Sequence, residues 1–79
     1  MKKDNTFILK EFGRNLRAER NRIGVSQEEL AEKCKLSYGQ IVGKIERGEV
    51  NTSLTTIVSL LNALNVDFEK LFDRKASKK

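Results

Sequence analysis

Residues 26–48 read S-Q-E-E-L-A-E-K-C-K-L-S-Y-G-Q-I-V-G-K-I-E-R-G, and two helix starts and one helix stop fall inside this stretch. Ser26 stands three residues before Glu29, the spacing of a capping box, in which each side chain accepts from the other residue's main-chain N–H. Ser37 precedes a second amphipathic run and reads as another N-cap. Lys35 and Leu36 leave room only for a tight connection between the two. Gly48, after Arg47, supplies the left-handed residue that ends a helix. The spacing predicts helices over about 27–34 and 38–47, joined by a turn of about three residues, which is the helix-turn-helix arrangement.

Projected at about 100° per residue, Tyr38, Ile41, Val42 and Ile45 fall on one side of the second helix. Gln40, Gly43, Lys44 and Arg47 fall on the other. The first set can pack inward, while the second presents an amide, two cations and bare backbone. On a basic protein such a face suits the major groove, where Gln pairs with adenine and Lys reaches guanine acceptors. Gly39 and Gly43 each cost a helix about 1 kcal/mol relative to Ala. They mark either close backbone approach to DNA or a helix that tightens on binding.

The composition sets the frame. Seventy-nine residues make one small domain with a modest core, and the absence of Pro favours an all-α fold. Sixteen Lys and Arg against eleven Asp and Glu give net charge +5, which suits a polyanion without proving one. One Cys and no His exclude an internal disulfide and the usual zinc ligand sets, so no metal or cofactor is expected. Cys34 falls on the inner side of the first motif helix and reads as a small buried hydrophobe. No apolar run approaches the roughly 20 residues of a membrane span, and no signal-peptide core follows the N-terminus. The expectation is a cytoplasmic, nucleoid-associated protein. No nucleophile with a base, metal cluster or phosphate loop is visible, which argues against an enzyme.

Taken in order, residues 1–5 read as a polar, disordered N-terminus and 6–73 as the domain. Asn5 or Thr6 caps a helix to about Arg22, with Ile8, Phe12, Leu16 and Ile23 inward and Lys10, Arg14 and Arg17 outward. Gly24 ends it, and Val25 staples the next helix. Asn51, Thr52 and Ser53 offer N-caps for a helix to about Leu64, with Leu54, Ile57, Val58, Leu61 and Leu64 as its apolar stripe. Asn65 is a left-handed stop, and Asp67 caps a last short helix, F-E-K-L-F. Residues 74–79 are a basic, flexible tail.

Three stretches, L-R-A-E-R-N-R-I-G-V-S-Q-E-E-L-A, K-I-E-R-G-E-V-N-T-S-L and L-L-N-A-L-N-V-D-F-E-K-L-F, together resemble the phage repressor and Cro family of helix-turn-helix regulators. The resemblance covers about residues 8–73. It implies a compact five-helix bundle, like the λ-repressor DNA-binding domain, that binds a near-palindromic operator as a homodimer. Small members of the family include restriction–modification controllers, antitoxins and repressors. This chain holds one residue more than the family pattern between S-Q-E-E-L-A and I-E-R-G. If the added residue lies in the turn, Val42 and Ile45 take the core positions, and Gly39, Gln40 and Lys44 match the base-facing ones. If it lies inside the helix, the outward residues turn by about 100°.

The resemblance makes Gln27 a contact to the DNA backbone, helped by the positive end of its helix. Ser37, Tyr38, Arg47, Asn51 and Thr52 are further phosphate candidates, which set register while base contacts choose sequence. Arg20 and Glu46 match a structural ion pair in the family. Val66, Phe68 and Leu71 are the expected dimer surface, because the last helix carries more apolar bulk than it needs. The alternatives are an antitoxin-like protein that masks a protein partner, with DNA binding secondary, and non-specific binding through the basic termini.

Overall fold

The computed structural model describes residues 5–36 and 40–72. They form five helices: α1 (Asn5–Ile23), α2 (Gln27–Lys33), α3 (Gln40–Glu46), α4 (Leu54–Leu64) and α5 (Phe68–Phe72). No strand occurs among the described residues, and none of their helices is long and apolar enough to cross a membrane. The N-terminal four residues, Asp73 and the basic tail lie outside the described residues.

Local chemistry sets the boundaries. Ser26 Oγ accepts from the Glu29 amide at 3.0 Å, and Glu29 Oε1 accepts from the Ser26 amide at 2.7 Å, so the capping box is complete. Gly24 and Gly48 hold φ of 76° and 74° and end α1 and α3. Asn65 does the same for α4 at φ 58° and ψ 49°, and Ser53 caps its start by accepting from the Thr56 amide. Some helix ends differ by a residue: α2 stops at Lys33 and α3 at Glu46, each one earlier than expected. Lys35 closes α2 in the left-handed region at φ 56°. That conformation costs an L-residue about 1–2 kcal/mol, against about 0.5–1 kcal/mol of extra chain entropy for Gly. Lys35→Gly is therefore expected to raise the urea midpoint, adding about 0.5–1 kcal/mol; an unchanged midpoint would mean the strain is absent.

The core is Phe12, Leu16, Leu30, Ala31, Cys34, Val42, Ile45, Leu60, Leu64 and Leu71. It draws on all five helices, so none has an independent interior. Cys34 lies inside, with its thiol donating to the Ser59 carbonyl at 3.5 Å, and burial pushes its pKa up. Phe12 and Phe72 meet at 5.1 Å between centroids, and Phe72 stacks on Phe68 at 4.5 Å. Asn15 Nδ2 donates to the Leu71 carbonyl at 2.9 Å, which satisfies an acceptor that the five-residue α5 cannot serve itself.

Three packing expectations are corrected. Ile8 is exposed rather than inward. The apolar stripe of α4 holds for Leu64, which is buried, and for Ile57 and Leu61, which pack against the core, but Leu60 is enclosed in place of Leu54 and Val58, which are 70% and 48% exposed. Leu71 belongs to the subunit's own core at 0% exposure, so it has no surface left to give a second copy. The α1–α3 crossing holds a further feature. A Cβ at Gly13 would lie 2.5 Å from the Ile45 carbonyl oxygen, with the Glu46 carbonyl nearer still, so the two backbones touch there.

Candidate nucleic-acid interface

Val42 and Ile45 seat α3 on the core, with Ile41 half-buried beside them. Gln40 is exposed, Lys44 is half-buried and Arg47, just past the helix, is exposed. Asn51 is exposed on the following loop. Ser37, Tyr38 and Gly39 lie outside the described residues.

A polar network fixes the tilt of this helix. Arg20 Nε donates to Glu46 Oε2 at 2.6 Å, and Nη2 to Oε1 at 3.2 Å. Arg20 Nη1 also donates to the Val25 carbonyl at 2.9 Å. The two side chains keep only 11% and 3% of their exposure. Gln27 Nε2 donates to Glu46 Oε1 at 3.0 Å. One carboxylate thus gathers α1, the start of α2 and the end of α3, with both of its oxygens in use.

The network redefines two residues. Gly43 does not offer bare backbone: it is buried, and a Cβ there would lie 3.1 Å from Gln27 Oε1 and 3.3 Å from Arg47 Nη1. The side chains of Gln27 and Arg47 therefore cover it. Gln27 in turn gives one of its two amide N–H donors to Glu46, which leaves the second for another acceptor. No sequence signal pointed to this, because the partner is nineteen positions away.

The rest of the rim is mixed. Arg47 donates to both oxygens of Glu49, at 2.7 and 3.3 Å. That bond, with Lys44 and Lys10 nearby, holds the Glu49 carboxyl below the usual range, and it raises Arg47 further above neutrality. Thr52 is corrected as a phosphate contact: its hydroxyl oxygen is enclosed, without a hydrogen-bond partner, and does not face outward. No group of three or more His, Cys, Asp or Glu able to hold a metal occurs among the described residues.

Two short consecutive helices packed on each other, the second seated by a few apolar residues with its polar side outward, define a helix-turn-helix protein. Residues 16–71 match the model of the helix-turn-helix family, and the chain belongs to that family, with the DNA-binding transcriptional regulators of the Cro and λ-repressor kind. It is 41% identical over 64 residues to the control protein C.SmaI of Serratia marcescens, covering 81% of this chain and 75% of that protein. It is also similar to the restriction-modification controller protein C.AhdI of Aeromonas hydrophila, at 40% identity and TM-score 0.83, covering 89% of this chain and all of that one. The clp gene regulator ClgR of C. glutamicum superposes with TM-score 0.80 at 27% identity, over 89% and 88% of the two chains.

Proposed function

We propose that this chain is a homodimeric, sequence-specific regulator of the restriction–modification controller type, which lays α3 in the major groove of a near-palindromic operator. The single observation that carries the reading is that Val42 and Ile45 hold α3 by one side while Gln40, Lys44 and Arg47 remain on the uncovered side. Gln40 and Lys44 are the base readers, together with Gly39. Ser37, Tyr38, Arg47, Asn51 and Gln27 hold the backbone, Gln27 through the amide N–H that Glu46 does not take. The two copies meet through α5, where Phe68 is 54% exposed and Val66 half-buried. Two-fold symmetry then places half-sites about one helical turn apart.

The test is a selection for bound duplexes, followed by titrations of the selected and mixed sequences at two salt concentrations. Affinity for both is expected to fall steeply with salt as counterions are released. Gln40→Ala is expected to cost about 1–3 kcal/mol on the selected site and little on mixed DNA. Equal losses on both would remove Gln40 as a reader. A second reading, in which the chain chiefly masks a protein partner, draws on Leu54 and Val58, exposed apolar side chains on α4. Failure to bind any duplex at low salt would favour it.

A further inference from the structure

We propose that Lys10 and Arg47, beside the base reader Lys44, form a phosphate site on the DNA-facing rim, and that Glu49 occupies it in the free protein. The inference rests on the DNA-binding reading and adds Lys10 and Glu49 to the interface. Arg47 is the outermost cation past α3, yet its guanidinium is not free: it grips Glu49 with two hydrogen bonds, at 2.7 and 3.3 Å. This side-on geometry is the one with which arginine takes a phosphate. Lys44, one turn back on α3, and Lys10, on α1, both act electrostatically on the same carboxylate.

The placement of Lys10 follows from the backbone. At Gly48 the chain turns against α1 so closely that a Cβ would lie 3.1 Å from the Cα of Lys10 and 2.8 Å from its Cγ. Arg47 thus pairs directly with Glu49, while Lys10, packed at Gly48, and Lys44 act on its charge from farther off. All three cations are wholly or partly open to solvent, as is Glu49. A carboxylate so placed stands where a backbone phosphate oxygen would. Glu49 supplies the anion when DNA is absent, and a duplex must displace it. The bound state then gains a phosphate contact from α1, outside the helix-turn-helix unit.

The test is a double-mutant cycle in the full chain, read by duplex affinity against salt. Glu49→Gln is expected to tighten binding about two- to fivefold, the range of a released exposed ion pair. It is expected to do so in the Arg47 background and not in Arg47→Gln. The change of one net charge is common to both backgrounds and cancels from the comparison. Lys10→Gln, made in the Glu49→Gln chain, is expected to flatten the plot of log affinity against log salt by about 0.9, one phosphate's worth. Equal effects of Glu49→Gln in the two backgrounds, or an unchanged slope with Lys10→Gln, would overturn the proposal while leaving DNA binding intact. If neither wild type nor Glu49→Gln binds duplex at low salt, the regulator reading fails and takes this site with it. Thermal melting of each variant checks that the exposed substitutions leave the fold in place.

Discussion

Glu46→Ala is expected to cost about 3–5 kcal/mol of folding free energy, the loss that follows when one partner of a buried ion pair is removed. The carboxylate is 3% exposed and accepts from Arg20 Nε at 2.6 Å, Arg20 Nη2 at 3.2 Å and Gln27 Nε2 at 3.0 Å. Without it, the Arg20 guanidinium keeps only the Val25 carbonyl as a partner and stays largely out of water. A domain of this size is stable by about 4–12 kcal/mol, so the loss is a large share of the total. The melting temperature should fall by more than about 12 °C. Arg20→Met combined with Glu46→Leu should recover much of the loss, because a well-packed apolar pair avoids the desolvation of both charges. A Glu46→Ala protein that melts with wild type would show that the pair does not hold α3 to α1.

Gly13→Ala is the second large effect, of about 3 kcal/mol. Ordinarily a helix gains about 1 kcal/mol from this change. Here the new methyl would meet the carbonyl groups of Ile45 and Glu46, with the Glu46 carbonyl carbon at 2.7 Å. Main-chain atoms cannot rotate away as a side chain would, so α3 must shift as a body. That shift would stretch the Arg20–Glu46 bonds and displace Val42 and Ile45 from their sockets. Urea denaturation should show a lower midpoint, and duplex affinity should fall even at temperatures where the variant is folded. A stability equal to or above wild type would mean that the two helices part at the crossing without loss.

The two positions also show where reading the chain succeeds and where it stops. Helix ends were legible because their chemistry is local: the capping box at Ser26 and Glu29, the glycines at 24 and 48, and Asn65 act within a few residues. The seating of α3 by Val42 and Ile45 was legible from periodicity. The phase of α4 was legible only in part, because seven of its eleven residues are apolar and several faces qualify as the inner one. Leu60 won that competition over Leu54 and Val58 through contacts made far along the chain. Gly13 carries no local signal at all, since an interior helix glycine looks like a defect until the carbonyls opposite it are seen. Gln27 is similar: its place at a helix start suggested an outward role, and only the position of Glu46 explains why its amide turns in. Leu71 and Thr52 failed for a related reason. A short helix or a loop leaves orientation to its neighbours, and the Leu71 side chain and the Thr52 hydroxyl are both enclosed here.

The α1–α3 crossing at Gly13 has one more consequence. A joint made main chain to main chain has no layer of side chains to act as a cushion, so α3 rides on α1 as a stiff unit. On the homodimer reading, any misfit between subunit spacing and operator spacing then falls on the duplex rather than on the protein. Flexible pyrimidine–purine steps between the half-sites would absorb it at least cost, giving sequence preference at base pairs the protein never touches.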